Sequence, residues 1–350
     1  MVNSWQRRRK DGKMRDAKTM LAVHFPGRGG ISLDEIPIPE PRGQLVLVRV
    51  KAAAICGTDR ENLVGEGQSR VPGHESAGQV AAVDNPARVK VGDRVGINCH
   101  ITCGRCEHCL RGDLYFCPEL RIVGMDIDGG FAEYALVPES CCMVLPDDIS
   151  FEAGSLLMDV VGTAFRGIKR GDPLPGEKVA IWGAGPIGLS ALLCARWFGA
   201  EVASVDLSEY RLGMAKDLGA DTVLNPEKVD IIEALMRWTG GRGLDIAYEC
   251  SGNEASIHQG LSALKKRGKL GIIGVSHSLS LNPWEQLICQ ETTIYGSRNF
   301  TLPMFDEMIA MVRQGVPVEK IVTHRFLLEE AEKAFEVFRS SECGKIIFTC

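Results

Sequence analysis

The segment KVAIWGAGPIGLSALLCARWFGAEVASVD, residues 178–206, decides the fold of this chain. It begins with a short β-rich run, continues with a G-x-G-x-x-G sequence and then follows a long apolar helical pattern. In that context Gly183 permits a tight turn, Gly185 lets the backbone approach a pyrophosphate, and Gly188 lets the helix pack closely on the strand. The helix N-terminus stabilises the phosphate anion. The segment predicts a dinucleotide-binding unit, with an ordinary strand-to-helix turn as the alternative.

Asp206, at the end of the second strand, indicates which dinucleotide binds. A carboxylate there accepts hydrogen bonds from the adenosine ribose hydroxyls and repels a 2′-phosphate. We therefore expect NAD rather than NADP, bound at the turn where Pro186 and Ile187 open the helix. Arg211, five residues further on, could cover the adenosine end or bind a 2′-phosphate, so NADP stays an alternative.

Strand-like and helix-like segments alternate from Lys178 to Tyr295. This rhythm predicts an α/β fold with a doubly wound parallel Rossmann sheet, which we assign to residues 162–297. A helical pattern over Phe151–Ile168 precedes it.

Residues 20–161 and 298–350 have a different texture and are assigned to a second, β-rich domain. Short alternating segments punctuated by Gly and Pro predict strands there, and helix is scarce in the first third. The strands expected in that third are Gln44–Val50, Gly78–Val83 and Arg94–Ile97. Residues 1–19, which carry the basic cluster Arg7–Lys10, are expected to be an N-terminal extension or to follow a misassigned start, with a nucleic-acid or membrane arm as the alternative.

Four closely spaced cysteines predict a structural zinc in a small lobe, residues 98–120. The spacing C-x2-C-x2-C-x7-C supplies a complete tetrahedral ligand set from Cys103, Cys106, Cys109 and Cys117. A disulfide cluster or four buried free thiols are the alternatives. The chain has thirteen cysteines and no secretory signal, so a reducing compartment is expected and the location is predicted to be cytoplasmic.

Composition excludes some classes of function. The 350 residues are 45% hydrophobic and 24% charged with a net charge of −5, as in globular proteins that bind neither nucleic acid nor anionic membrane. The longest uncharged stretch, Val179–Ala195, is short for a membrane span and contains the glycine turn.

Two short motifs suggest a second metal site. Cys56-Gly57-Thr58-Asp59 and Gly73-His74-Glu75 supply a thiolate and an imidazole, and a catalytic zinc needs about three protein ligands plus an open position. Asp159 is an acid within an otherwise apolar helical stretch, and a buried carboxylate needs a partner. Ordinary core packing of the Cys and His, and an ion pair or helix cap for the Asp, are the alternatives.

Taken in this order, together with Gly92-Asp93-Arg94-Val95, the motifs resemble those of the zinc-containing medium-chain alcohol and polyol dehydrogenases. The resemblance extends from Met20 to Cys350. It implies a GroES-like catalytic domain, two zinc ions per chain, NAD as cofactor, and a homodimer or homotetramer. It also implies that Cys56, His74 and Asp159 bind the catalytic zinc.

The resemblance assigns roles to further residues. Glu75 would move in and out of the zinc shell, and Asp59 would orient a ligand. Thr58 would contact the alcohol and pass its proton onward. Many relatives carry a histidine as the outer end of that relay, and this chain has Glu61 there. Either Glu61 replaces the histidine or water takes the proton directly.

Three residues are expected along the nucleotide by family position alone: Ser251 and Val275 beside it, and Lys345 at its pyrophosphate. Each could equally be an ordinary strand-end residue.

The predicted reaction is oxidation of a secondary alcohol, a polyol or sugar, with NAD+. A threonine-type amino-alcohol dehydrogenase and a zinc-free reductase of the same fold are alternatives, as is a non-enzymatic protein that uses the zinc lobe to bind a partner. Arg298 could bind a charged substrate or a phosphate, or form a structural ion pair.

Overall fold

The computed structural model of the protein describes residues 18–350 and the backbone of residues 9–10 and 13–14, which form a short antiparallel pair. The rest of the predicted N-terminal extension lies outside the described residues.

Strands and helices alternate irregularly in the first half of the chain and regularly in the second. The strands are β1 (Arg9–Lys10), β2 (Lys13–Met14), β3 (Thr19–Gly27), β4 (Gly30–Pro37), β5 (Leu45–Ala54), β6 (Glu75–Val83), β7 (Arg94–Ile97), β8 (His100–Ile101), β9 (Arg121–Ile122), β10 (Tyr134–Pro138), β11 (Cys142–Val144), β12 (Lys178–Trp182), β13 (Glu201–Val205), β14 (Thr222–Leu224), β15 (Leu244–Glu249), β16 (Leu264–Ile272), β17 (Thr293–Gly296), β18 (Val322–Phe326) and β19 (Lys345–Thr349). The α-helices are α1 (Asp59–Val64), α2 (Glu107–Leu110), α3 (Phe151–Leu157), α4 (Val160–Gly171), α5 (Pro186–Trp197), α6 (Glu209–Asp217), α7 (Ile231–Trp238), α8 (Glu254–Ala263), α9 (Met304–Arg313) and α10 (Ala331–Ser340).

The second half contains the doubly wound sheet that the sequence predicts. Its six strands are all parallel and lie in the order β14-β13-β12-β15-β16-β17. The direction of winding reverses between β12 and β15, and in such sheets ligands bind outside the carboxyl ends of the strands at this reversal. The glycine turn leaves β12 at that point, so the α/β Rossmann prediction is confirmed.

A seven-stranded sheet forms the β-rich part. Its strands follow the order β11-β7-β6-β5-β19-β18, with β10 paired to β5. The three strands expected in the first third are present as β5, β6 and β7. The C-terminal strand β19 runs antiparallel to β5, with Ile347 opposite Ala54, so the end of the chain completes the sheet next to the Cys56 motif.

The helical pattern over Phe151–Ile168 is interrupted, which corrects the expectation of one continuous stretch. Helix α3 ends at Leu157, α4 begins at Val160, and Asp159 between them has φ −145° and ψ −71°, outside the helical region. Its carboxylate accepts one hydrogen bond from the side chain of Thr163 in α4 and one from the side chain of Asn299, which follows β17. Asp159 therefore lies at a helix junction and not on a continuous helix face.

The two sheets share an apolar core through α3 and α4. Leu156 and Phe165 pack in one buried cluster with Ala77 of β6 and Val179 of β12. Among the described residues, no helix is long and apolar enough to cross a lipid bilayer.

Candidate metal centre and dinucleotide site

Four side chains from three parts of the chain converge at the edge of the β-rich sheet. Cys56 follows β5, His74 and Glu75 lie at the start of β6, and Asp159 precedes α4. One ligand atom of each lies within 4.8 Å of the others. The three predicted ligands of the catalytic zinc are therefore neighbours.

The spacing of these atoms fits a tetrahedral metal. Asp159 Oδ2 lies 3.6 Å from Cys56 Sγ and 3.5 Å from His74 Nε2. A zinc ion with ordinary bond lengths and tetrahedral angles would hold the same atom pairs about 3.6 Å and about 3.4 Å apart. A thiolate, an imidazole and a carboxylate are also donors that zinc prefers. The donor set fits the predicted ion in chemistry and in dimension.

The charges around the site also favour a bound cation. Asp59 and Glu75 are 1% and 0% exposed, and Cys56 and Asp159 are further acids of the same cluster. The buried Lys345 ammonium lies 2.7 Å from Glu75 Oε1, whereas Glu75 Oε2 has no hydrogen-bond partner. Four acidic groups thus face one permanent cation, and buried charge of one sign is costly without a counter-ion.

The pKa values of the site reflect this crowding. Burial raises the pKa of Glu75 to about 8, although the charge of Lys345 opposes the shift. Burial and the charge of Glu75 raise the pKa of the Cys56 thiol. Burial disfavours the His74 cation, but the negative charge of Cys56 and the hydrogen bond to Asp159 outweigh it and raise the pKa of His74. Burial opposes ionisation of Asp159, yet the hydrogen bond and charge of His74 hold its pKa below the usual range.

The other predicted members of the catalytic set lie around this cluster. Asp59 Oδ2 accepts a 2.8 Å hydrogen bond from the backbone N–H of Cys56, and Asp59 Oδ1 lies 3.8 Å from His74 Nδ1. Thr58 Oγ1 lies 3.5 Å from His74 Nε2. Glu61 is exposed on α1, one turn from Thr58, so its place in a proton relay stays a prediction.

Sequence reasoning missed a group of polar residues on the same site. Thr163 Oγ1 and Asn299 Nδ2 donate to Asp159 Oδ1 at 2.9 and 3.1 Å. His100 is 2% exposed, and burial lowers its pKa to about 4 with a further contribution from the charge of Arg298. Their positions in the chain carry no motif, although Asn299 follows the arginine that the sequence singles out.

The four cysteines form the predicted cluster. Cys106 Sγ lies 3.4 Å from Cys109 Sγ, which in turn lies 3.9 Å from Cys103 Sγ, and the Cys117 sulfur accepts from the Cys103 backbone N–H at 3.4 Å. Disulfide sulfurs would be about 2.05 Å apart, whereas sulfurs on one tetrahedral zinc would be about 3.8 Å apart. The arrangement fits zinc and excludes a disulfide cluster.

The thiols of this lobe compete for protons. Backbone N–H groups of Arg105 and Cys106 lower the pKa of Cys103 to about 6. The backbone N–H of Cys109 lowers the pKa of Cys106, but burial and hydrogen bonds with neighbouring thiols outweigh it and raise that pKa to about 11. Thiolates this close do not all ionise unless a cation neutralises them.

The glycine turn has the geometry that a dinucleotide requires. Gly183 has φ +92°, and a Cβ there would lie 2.9 Å from the backbone nitrogen of Ser251. A Cβ on Gly188 would lie 1.7 Å from the carbonyl oxygen of Gly183, so only glycine allows this packing of α5 on β12. Asp206 follows β13, and its two carboxylate oxygens accept from the backbone N–H groups of Ala184 and Ser208 at 2.6 and 2.8 Å.

Two predicted nucleotide contacts, Arg211 and Val275, lie near the glycine turn or near the end of the neighbouring strand β15. The Arg211 guanidinium reaches across Gly185 and donates from Nε to the carbonyl of Cys343 at 3.4 Å. Val275 is 68% exposed, and its carbonyl adjoins Gly252.

Lys345 lies elsewhere, because its ammonium is held by Glu75 at the metal cluster. Its predicted contact with the pyrophosphate stays a prediction, and the residue would have to leave Glu75 or be shared with it.

Comparisons with known proteins match two segments of the chain to family models and nearly the whole chain to similar proteins. Residues 42–147 match the family model described as the alcohol dehydrogenase GroES-like domain, and residues 186–314 match that of the zinc-binding dehydrogenases. The L-threonine 3-dehydrogenase of Symbiobacterium thermophilum is 36% identical over 345 residues, which cover 95% of this chain and 98% of that protein.

Solved structures share the whole fold. The alcohol dehydrogenase of Thermus sp. ATN1 superimposes with a TM-score of 0.88 at 30% identity, covering 95% of this chain and 100% of that one. An alcohol dehydrogenase of E. coli CFT073, solved with NADH, has a TM-score of 0.87 at 26% identity with the same coverage.

Proposed function

The chain belongs to the zinc-containing medium-chain alcohol dehydrogenases, and on that premise we propose that it oxidises an amino alcohol of the L-threonine type with NAD+. The observation that carries the substrate class is Arg298, an exposed cation next to Asn299, which donates to Asp159 at 3.1 Å. The guanidinium of this residue is the group that we assign to bind a substrate carboxylate while the hydroxyl is at the metal.

The catalytic zinc would be held by Cys56, His74 and Asp159. Glu75 would be an alternative ligand, and its carboxylate accepts a hydrogen bond from Lys345 in this structure. The four cysteines of the lobe would hold a second ion. When bound, zinc supplies a Lewis acid that lowers the pKa of the substrate hydroxyl, and NAD+ supplies the hydride acceptor.

The protein residues orient the reactants and move the proton. Thr58 Oγ1, 3.5 Å from His74 Nε2, is placed to accept the hydroxyl proton of the alcohol. From there the proton passes to solvent, either by way of Glu61 or directly to water. Asp59 fixes the backbone of Cys56 and so the direction of its thiolate.

Several observations favour this substrate over the alternatives. An unphosphorylated polyol or sugar has no anionic group for the Arg298 cation to bind, and the similar S. thermophilum protein is an L-threonine 3-dehydrogenase. A zinc-free reductase would have no use for the buried donor set of Cys56, His74 and Asp159. Whether the protein is a homodimer or homotetramer stays a prediction.

Arg298→Gln tests the substrate class. Loss of a charge-assisted hydrogen bond of about 1.5–3 kcal/mol should raise KM for L-threonine by about 10- to 150-fold, with kcat nearly unchanged. Steady-state rates with NAD+ should be compared between L-threonine and 1-amino-2-propanol, which lacks the carboxylate. Arg237→Gln, on the surface of α7, is the matched control. If wild-type protein oxidises polyols faster than L-threonine, the proposed substrate class is wrong.

Asp206→Asn tests the choice of nucleotide. Removing a charge a few ångströms from the ribose should shift the ratio of kcat/KM values for NAD+ and NADP+ towards NADP+ by about 5- to 100-fold. Asp221→Asn, at the neighbouring strand β14, should leave the ratio unchanged. An unaltered ratio in the Asp206 variant would mean that the carboxylate only shapes the turn through Ala184 and Ser208.

A further inference from the structure

The four-cysteine lobe contacts the segment that carries Arg298 at three points. The Arg298 guanidinium carbon lies 4.0 Å from the centre of the Tyr115 ring. Arg166 of α4 donates to Asp113 of the lobe at 2.9 Å and to the backbone carbonyl of Arg298 at 3.4 Å. The backbone N–H of Leu302 donates to the lobe carbonyl of Gly112 at 3.0 Å. The lobe therefore holds both the backbone and the side chain of this arginine.

The Tyr115 ring is itself held in place on its other sides. The centre of its ring lies 5.7 Å from that of His100 and 5.8 Å from that of Phe116, and both rings are nearly perpendicular to it. His100 is fixed in turn, because its Nδ1 lies 2.8 Å from Asn98 Oδ1 in the buried part of the site. Tyr115 thus connects the buried His100 with the Arg298 side chain, which is exposed to solvent.

An exposed arginine has many rotamers, and ordering it when a substrate binds costs affinity. Stacking of the guanidinium on an aromatic ring favours one of those rotamers before the substrate arrives. The planar guanidinium keeps its N–H edge free for a carboxylate while its face rests on the ring.

We propose that Tyr115 is a positioning residue that holds the Arg298 guanidinium ready for the substrate carboxylate, so that the four-cysteine lobe determines selectivity as well as stability. The inference rests on the proposed function, since it concerns the group that recognises the carboxylate. The four-cysteine lobe would then have a role in substrate choice, which the spacing of its cysteines alone does not indicate.

A purely structural stack would lower stability without discriminating between substrates. The test is therefore the KM for L-threonine and for 1-amino-2-propanol in Tyr115→Ala and Tyr115→Phe, with zinc per chain measured in each. Leu110→Ala, an exposed change in the same lobe, is the matched control. Tyr115→Ala should raise KM for L-threonine by about 3- to 30-fold and leave kcat and the KM for 1-amino-2-propanol within twofold. Tyr115→Phe, which keeps the ring, should behave like wild type.

Other results would show whether the positioning role of Tyr115 or the proposed function is wrong. If Tyr115→Ala retains the wild-type KM for L-threonine, or loses both substrates equally at full zinc content, the positioning role is wrong while the proposed function stands. If wild-type protein shows no preference for the substrate with a carboxylate, the proposed function and the inference fall together. Loss of zinc in Tyr115→Ala but not in Tyr115→Phe would also overturn the inference, because the ring would then act on the lobe itself.

Discussion

Asp159→Asn should lower kcat/KM for alcohol oxidation by about 10²- to 10⁴-fold and reduce the zinc content from the predicted two ions per chain to one. Asp159 Oδ1 accepts from Thr163 and Asn299, while Oδ2 faces Cys56 and His74. An amide offers only one acceptor atom, so its NH₂ group must face either the two donors or the metal. The site loses a ligand, and Cys56 and His74 alone do not complete a catalytic shell.

The measurement is metal analysis of the purified protein alongside steady-state rates with NAD+. Asp148→Asn, which removes an exposed partner of Arg313, is the control and should keep both ions and full activity. An Asp159→Asn protein with two zinc ions and wild-type turnover would show that another residue, with Glu75 the nearest candidate, completes the site.

Cys106→Ser should remove the second zinc ion and lower the free energy of unfolding by about 3–5 kcal/mol. Without the cation the three remaining thiols would take up protons and would no longer be held together by a shared ion, so the lobe would open. For a chain of this size we expect the melting temperature to fall by about 4–7 °C. Zinc per chain and thermal unfolding measure the two effects, and Cys289→Ser, an exposed thiol outside both clusters, serves as the control. A Cys106→Ser protein that melts like wild type with both ions in place would contradict the assignment of the lobe.

The sites differ in how far the sequence predicts them. The lobe and the glycine turn are each formed by residues that are close together in sequence. Their spacing alone therefore restricts the geometry of the site. The catalytic cluster is not local: Cys56 and Asp159 are 103 positions apart. Composition and periodicity identify them as candidates, and only the resemblance to a family joins them.

The interruption between α3 and α4 shows why prediction stopped there. The apolar pattern through Met158 fits a continuous helix. Periodicity indicates which residues are buried, but it does not reveal that one residue has non-helical backbone angles. The hydrogen bond from Thr163, four residues along the chain, and the tertiary hydrogen bond from Asn299 hold the carboxylate at the position where Asp159 leaves the helical region. The break that they stabilise brings the carboxylate to the thiolate and the imidazole.

By itself the sequence determined the α/β fold class, the four-cysteine cluster and the glycine turn after β12, because each depends on short-range spacing and strand-to-helix rhythm. Only the tertiary structure decided that Lys345 pairs with Glu75, 270 positions away, and that Tyr115 supports Arg298. Such pairs depend on strand order, here on β19 completing the sheet beside β5, and on which surfaces the lobe and α4 present to each other. These contacts form only when segments that are distant in sequence lose their contact with water and pack against each other. No local sequence pattern encodes them.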